Sequence, residues 1–389
     1  MEGSAQRQTS VVALLSVFGL GIAFVIVGAI SVEYGKALQI ENIGNLTFAL
    51  FLTSCIVQLV IGPLVDRFGY RPVAIAGFLV AAVSMLLLAV AASYATALVA
   101  CILLGVGAMC MNTVGNTLIP VVLFGGKDPA RASNFGNAFF GLGLVVTPLL
   151  FYVVNYKAGL FVLTAVFAAF LAAAVGTRFP QAASGYRFSM AVKLLGNPAV
   201  LVAALALFCY ISLEASMNTW SKPYMTELLG GDQNPTAVSK ASLVLSLFGV
   251  AMMAGRFLTS AIKNLTNMGV KLIATMAAVA AASILTLILT SSAALAVVAV
   301  ILTGLAFAPI FPTIVGVTFA KFDSSLYGSI FGIIFAIGLL GGTFVPQIVG
   351  RLSQGATIQQ SLQIVLAMAV ALFVASWLLK TGSKRGGAR

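Results

Sequence analysis

The sequence contains no histidine, and only nine of its 389 residues are aspartate or glutamate. Its four cysteines lie singly inside apolar runs, at Cys55, Cys101, Cys110 and Cys209, so their spacing fits neither a zinc site nor a disulfide framework. Without histidine, and with so few acids, the chain offers no acid–base pair and no nucleophile with a base beside it. The sequence therefore predicts a protein that is not an enzyme and that holds no metal and no other cofactor.

Charge of either sign is scarce, because only 8% of the residues are charged, against about 25% in soluble domains. Apolar residues make up 61% of the chain, which predicts a multi-pass protein embedded in a lipid bilayer. The net charge of +12 does not indicate nucleic acid, since the basic residues are spread singly through short loops. No cleavable signal is expected, because the first apolar run is too long for one.

Apolar runs separated by charged residues or by glycine and proline predict twelve membrane-spanning helices, numbered here as the first to the twelfth span. The predicted bounds are 11–38, 42–66, 71–94, 96–124, 132–155, 158–179, 197–229, 239–264, 269–290, 293–322, 324–349 and 356–380. The fold class is therefore all-α, with two pseudo-symmetric bundles of six helices at residues 1–179 and 197–389. The polar stretch 180–196 is interpreted as a cytoplasmic linker with a short interfacial helix.

Basic residues are concentrated in the loops that share a side with the two termini. That side carries Arg7, Arg67, Arg71, Lys127, Arg131, Arg178, Arg187, Lys193, Lys263, Lys271, Lys321, Lys380, Lys384, Arg385 and Arg389. The other side carries only Lys36, Lys157, Lys222, Lys240 and Arg351. Because positive charge favours the cytoplasmic side, we expect both termini in the cytoplasm and the chain in the cell (inner) membrane.

A charged turn, Gly62-Pro-Leu-Val-Asp-Arg-Phe-Gly-Tyr-Arg-Pro72, separates the second and third spans. Gly62 and Gly69 permit close helix approach and a tight reversal, while Asp66, Arg67 and Arg71 must lie at a membrane surface. The pattern resembles the loop between helices 2 and 3 of the major facilitator superfamily.

That resemblance implies a gating role for the charged turn. In the family the aspartate is thought to latch the two halves of the transporter shut on the cytoplasmic side, which assigns gating to Gly62, Asp66, Arg67, Gly69 and Arg71. Arg131, at the start of the fifth span, is interpreted as a partner for Asp66 and as a further gating residue.

Polar side chains at membrane depth carry most of the functional information, because each is costly unless it is paired or faces water. In the seventh span, Tyr210, Glu214 and Asn218 are spaced by four and share a helix face, with Trp220 close by. Glu214 is the most centrally placed acid in the chain. It is interpreted either as a proton carrier or as a fixed hydrogen-bond acceptor for a solute or a neighbouring helix.

Amide side chains form a second group of candidate binding residues, made up of Gln58, Asn112, Asn116 and Asn137. Amides offer both donors and acceptors, which suits a neutral polyhydroxylated solute. The alternative interpretation of each asparagine is a hydrogen bond between helices that holds the bundle together. An organic phosphate is disfavoured, because no arginine is expected near the middle of a cavity-lining span.

Several glycine- and proline-rich stretches resemble the fucose permease-like branch of the superfamily, which contains sugar/proton symporters. They include Gly105-Val-Gly-Ala, Asn137-Ala-Phe-Phe-Gly-Leu-Gly143 and Gly304-Leu-Ala-Phe-Ala-Pro-Ile-Phe-Pro312. That branch commonly has an acid where this chain has Asn112 and another in the first span, near Ile26. Coupling then moves to Glu214 or Glu33, or the protein is a uniporter or an exporter.

The residues and the resemblance together predict a monomeric membrane transporter that moves a small neutral polar solute, a sugar or sugar derivative, by alternating access. Coupling to protons is one possibility. The alternatives are an exporter of amphipathic compounds, a small monocarboxylate transporter, and a transporter-like receptor that binds solute without moving it. No nucleic acid partner is predicted.

Overall fold

The computed structural model describes residues 3–30, 34, 37–38, 44–180, 188–231, 233–355 and 357–379, and within these residues the regular structure is helical. Twelve helices in this described part of the chain are long and apolar enough to cross a membrane. The first six spans are the helices Gly3–Ala29, Gly44–Phe68, Tyr70–Val90, Tyr94–Val122, Pro129–Val153 and Tyr156–Gly176. The prediction of an all-α protein with twelve spans is confirmed.

The second half of the sequence forms the remaining spans. A short helix, Phe188–Leu194, precedes them. The seventh to ninth spans are Pro198–Leu228, Pro235–Ser260 and Leu265–Leu289, and the eleventh is Tyr327–Ser353. The tenth span consists of two helices, Ala293–Phe307 and Ile310–Phe319, and the twelfth of Ile358–Ser361 and Gln363–Leu378. Short 3-10 helices cover Leu123–Gly126 and Ser324–Leu326.

Side-chain caps explain where many of the spans begin. Ser93, Asn155, Asn197, Asn234 and Ser292 each accept a hydrogen bond from a backbone N–H in the first turn of the following helix. The first N–H groups of a helix have no partner within it, so a cap at the membrane surface satisfies them where apolar sequence begins. Each of these caps is the residue directly before its helix, so the local sequence determines where these five spans begin.

Apolar side chains cover the outer face of the spans, as the second span illustrates. Phe48, Ile56 and Leu59 are each exposed over more than half of their surface. Gln58, one residue from Leu59, is completely buried on the opposite face. Such an inverted pattern, with the large apolar groups outside and the amide inside, matches a helix whose outer face contacts lipid.

The chain divides into two compact units, and neither coincides with a half of the sequence. Unit 1 comprises Met1–Lys127, Gly136–Leu194 and Asp323–Ile333. Unit 2 comprises Asp128–Phe135, Leu195–Phe322 and Ile334–Arg389. Each unit thus includes a short piece from the other half of the sequence. In unit 1 this piece is the start of the eleventh span, and in unit 2 it is the start of the fifth.

Candidate functional site

The amide cluster, formed by Gln58, Asn112, Asn116 and Asn137, lies in unit 1 and joins the second, fourth and fifth spans. Its members form one continuous run of hydrogen bonds. Asn137 Nδ2 donates to Asn116 Oδ1 (2.9 Å), and Asn116 Nδ2 donates to Asn112 Oδ1 (2.8 Å). Asn112 Nδ2 then donates to Gln58 Oε1 (3.3 Å), whose Nε2 reaches the Thr113 hydroxyl (3.2 Å).

All four amides are buried, and none is more than 5% exposed. Hydrogen bonds between helices, one of the two interpretations that the sequence leaves open for the asparagines, are therefore present in this structure. A buried amide that has lost a partner is costly, so the four side chains act as a unit. The same donors and acceptors would serve a solute hydroxyl that replaced one link of the run.

A second polar group, the Glu214 group, lies in unit 2 and consists of Tyr210, Glu214 and Arg256. The Arg256 Nη2 atom is 3.6 Å from Glu214 Oε1 and 3.5 Å from the Tyr210 hydroxyl. Tyr210 is completely buried, and the Phe307 and Phe311 rings both lie 6.1 Å from its ring. The Glu214 side chain is 23% exposed and that of Arg256 only 4%, so the pair has one accessible end, on the carboxylate.

The position of Arg256 corrects one step of the sequence argument. An arginine was expected to be absent from the depth of the cavity-lining residues, yet the guanidinium of Arg256 reaches Glu214 near the middle of the seventh span. Arg256 belongs to the last two turns of the eighth span, and its long side chain carries the charge inward. The reason given above for disfavouring an organic phosphate, the lack of an arginine at this depth, therefore does not hold.

The break in the tenth span explains why a guanidinium is placed here. In a continuous helix the carbonyl of Ala308 would accept a hydrogen bond from the backbone N–H of residue 312. Residue 312 is proline, which has no N–H. The Nε atom of Arg256 donates to the Ala308 carbonyl instead, at 3.2 Å. Arg256 therefore connects the carboxylate of the seventh span to the break in the tenth.

The other predicted residues of the seventh span make different contacts. Asn218 is exposed, and its Nδ2 donates to the backbone carbonyl of Glu214 at 2.9 Å. The Trp220 Nε1 atom donates to the Pro346 carbonyl in the eleventh span at 2.9 Å. Asn218 thus shares the exposed face with Glu214, whereas Trp220 ties two helices of unit 2 together. Glu33 lies outside the described residues.

Asp66 caps the start of the eleventh span inside unit 1. Its two carboxylate oxygens accept hydrogen bonds from the backbone N–H groups of Gly328 (2.8 Å) and Ser329 (2.6 Å). These N–H groups have no partner within their own helix, and the positive end of the helix dipole favours the carboxylate. Gly62 makes the close approach possible, because a Cβ atom there would collide with the Gly328 carbonyl.

A similar contact in unit 2 involves Asp128, a residue that the sequence argument missed. Its carboxylate accepts from the backbone N–H groups of Leu265 (2.8 Å) and Thr266 (2.9 Å) and from the Thr266 hydroxyl (2.7 Å). The residue before that helix, Asn264, has a φ of 56° and supplies no side-chain cap. Asp128 therefore takes over the capping of the ninth span from 137 residues away.

The pKa of Asp128 reflects these contacts. Burial raises the pKa, but the hydrogen bonds from Thr266, Leu265 and Arg131 outweigh burial, and the pKa lies below its usual value. The carboxylate is consequently charged at neutral pH, which strengthens its hydrogen bonds to the helix end. Asp66 and Asp128 together form what we call the two aspartate caps.

The remaining gating candidates lie close to the caps. Gly69 precedes the third span with a φ of 81°, a conformation that favours glycine. Arg67 lies over the Phe68 ring at 5.1 Å, and Arg71 donates to the Val175 carbonyl at 3.0 Å. Arg131 donates through Nε to the Ser260 carbonyl at 2.8 Å. The pairing of Arg131 with Asp66 stays a prediction.

Comparison with known proteins identifies the family of this chain. Residues 9–346 match the family model described as Major Facilitator Superfamily. No curated protein matches the sequence.

Several solved structures share the fold. One is the E. coli fucose:proton symporter FucP, 20% identical, with a TM-score of 0.78 over 94% of this chain and 97% of that one. FucP in an outward conformation is 18% identical, with a TM-score of 0.79 over 95% of this chain and 99% of that one. The proton:xylose symporter XylE bound to 6-bromo-6-deoxy-D-glucose is 13% identical, with a TM-score of 0.79 over 98% of this chain and 97% of that one. The family match covers the spans that carry the amide cluster, the Glu214 group and both aspartate caps, and this multi-pass membrane protein belongs to the Major Facilitator Superfamily of transporters.

Proposed function

We propose that this transporter moves a small neutral polar solute, a sugar or sugar derivative, by alternating access, and that protons drive its accumulation. The observation that carries the proposal is the run of four buried amides across three spans. Each amide has both donors and an acceptor, so the amides can form hydrogen bonds with solute hydroxyl groups, and the solute needs no charge. The similarity in fold to symporters named for fucose and xylose supports the same solute class.

Glu214 is the coupling group in this proposal. The resemblance to the fucose permease-like branch implies acids at the position of Asn112 and near Ile26, which this chain lacks, so the proton needs another carrier. Glu214 is an acid at membrane depth with an accessible end, and Arg256 holds its charged form in place. Protonation of Glu214 would release the ion pair and allow the helices around it to rearrange. We further propose that the transporter acts as a monomer and that both of its termini lie in the cytoplasm.

Uptake into proteoliposomes tests the coupling. With an inward proton gradient the wild type should accumulate a sugar, whereas Glu214→Gln should only equilibrate it, because an amide carries no proton. Exchange of labelled for unlabelled sugar across the membrane, which needs no gradient, should persist in the variant and shows that it is folded. Accumulation by Glu214→Gln equal to that of the wild type would refute the role of Glu214.

The amide cluster is tested in the same assay. Asn116→Ala removes the middle link and leaves Asn112 and Asn137 each short of a partner, so we expect uptake at low sugar concentration to fall about tenfold or more. Asn267→Ala, an exposed asparagine at the start of the ninth span, is the matched control and should leave uptake unchanged. Equal effects of both changes would contradict a role for the cluster in solute binding.

A small monocarboxylate or sugar acid is the second candidate solute, and the observation that favours it is the guanidinium of Arg256 beside Glu214. When Glu214 is protonated, a solute carboxylate is a suitable replacement partner for Arg256. Competition distinguishes the two solute classes. Inhibition of uptake by neutral sugars supports the first proposal, and inhibition by small monocarboxylates at lower concentration supports the second.

A further inference from the structure

A pocket of about 680 Å³ lies in unit 1 where three spans reach the same membrane surface. Residues Phe68–Arg71 and Val175–Pro180 line it, and we call it the basic pocket. The second helix ends at Phe68, the third begins at Tyr70, and the sixth ends at Gly176. Since these are the boundaries of apolar spans, the pocket lies at the depth of lipid headgroups.

The described residues that line the basic pocket include two arginines and no acid. Arg71 and Arg178 are exposed on its lining, and Arg67 lies beside it. None of the three forms an ion pair within the described part of the chain. The nearest acid in the sequence, Asp66, is buried and engaged with Gly328 and Ser329. The part of the pocket lining that the structure describes therefore presents two guanidinium groups to a ligand and no carboxylate.

Two of the three arginines, Arg71 and Arg67, are held in place by contacts within unit 1. Arg71 is held on the Val175 carbonyl at 3.0 Å, and Arg67 is stacked over the Phe68 ring. Phe68 and Val175, which flank the guanidinium groups, are 56% and 49% exposed. An exposed apolar rim next to fixed positive charge suits a ligand with a phosphate group and acyl chains. It does not suit a fully soluble anion, which would gain nothing from the rim.

We propose that the basic pocket binds the headgroup of an anionic phospholipid in the leaflet on the side of the N-terminus. The guanidinium groups of Arg71 and Arg178 hydrogen-bond the phosphate oxygens, and the acyl chains lie along Phe68 and Val175. The proposal does not depend on the transported solute, because it rests only on the ends of the second, third and sixth spans.

Lipid titration of the purified protein in detergent tests the proposal. Short-chain phosphatidylglycerol should raise the melting temperature of the wild type, and phosphatidylcholine with the same chains should not. The half-saturating concentration of phosphatidylglycerol should rise about fivefold for each arginine removed in Arg71→Gln and Arg178→Gln. Among the described residues the Arg178 side chain makes no hydrogen bond and no ion pair, so its variant remains informative if Arg71→Gln fails to fold.

The control variant is Arg351→Gln, which removes an exposed arginine from the last turn of the eleventh span, on the opposite membrane side. It should bind phosphatidylglycerol like the wild type. Equal stabilisation by both lipids, or equal losses in Arg178→Gln and Arg351→Gln, would overturn the site. Inorganic phosphate that reproduces the whole shift at the same concentration would overturn the assignment to a lipid.

Discussion

Replacing Arg256 with methionine is expected to lower the free energy of unfolding by about 3 kcal/mol or more, because it leaves the Glu214 carboxylate without its counter-charge. The same change removes the Nε donor from the Ala308 carbonyl, which Pro312 cannot replace. The loss of the ion pair and the loss of the hydrogen bond to Ala308 therefore both lower the stability of this variant. Thermal melting of the purified protein measures their sum.

Each loss has its own rescue. Adding Glu214→Gln to Arg256→Met removes the unpaired charge and should recover the electrostatic part of the loss. Adding Pro312→Ala supplies a backbone N–H for the Ala308 carbonyl and should recover part of the loss, about 1 kcal/mol. Pro148→Ala, in the fifth span, is the matched proline control, and its effect should be the same in the wild type as in Arg256→Met. If the two proline changes rescue equally, Arg256 does not act through the break in the tenth span.

The aspartate caps carry the second large effect. Asp128→Asn exchanges a charged, bidentate acceptor for a neutral amide on the N–H groups of Leu265 and Thr266, at a cost of about 1.5–3 kcal/mol. If only one of the alternating states contains this cap, the equilibrium between the states shifts by about tenfold or more, since each 1.4 kcal/mol is tenfold. We expect Asp66→Asn to shift it in the same direction, because Asp66 caps the eleventh span in the same way.

Distances between spin labels at Lys127 and Lys263, two exposed residues near the Asp128 cap, report the populations of the two states. Asp323→Asn is the matched control, since within the described residues the exposed Asp323 accepts a hydrogen bond from the Ser325 N–H (2.9 Å) in its own turn and caps no distant helix. A distance distribution that Asp128→Asn leaves unchanged, or that Asp323→Asn changes as much, would contradict a gating role.

The pH dependence of the Asp128 cap follows from its lowered pKa. A carboxyl group whose pKa is lower in the folded than in the unfolded protein stabilises the fold above its unfolded pKa of about 3.9. That stabilisation is lost as the pH falls through the folded pKa, which is lower still. Asp128 should therefore hold the ninth span throughout the neutral range, and mild acidification should leave this cap in place.

Sequence patterns located the spans and the acids but not the partners of those acids. Asp66 was found because a charge at the end of an apolar run is conspicuous. Its partners are the backbone N–H groups of Gly328 and Ser329, which have no signature in the sequence. Asp128 escaped notice because it lies among charged residues in a short loop, where a solvated charge is the usual expectation. An aspartate directly before Pro129 at the start of a span was the available signal.

The amides and Arg256 show a different limit. A spacing of four places Asn112 and Asn116 on one helix face, but the rotation of each helix in the bundle decides which amide meets which. For Arg256 the sequence alone does not distinguish a position at the membrane surface from a buried ion pair. The contact of Arg256 with the Ala308 carbonyl depends on the missing N–H of Pro312, which lies in another helix. This signal can be used only once the eighth and tenth spans are known to be neighbours.

The cap at Asp66 can form only late in biosynthesis, after the start of the eleventh span has been translated. Gly328 follows Asp66 by 262 residues, so at about 5–20 residues per second the ribosome needs on the order of 13–52 seconds to deliver it. Throughout that interval Asp66 has been translated, but the N–H groups that it caps have not. Unit 1 is complete only when the eleventh span has been inserted, and a ribosome stalled before Asp323 would leave a membrane intermediate that lacks this contact.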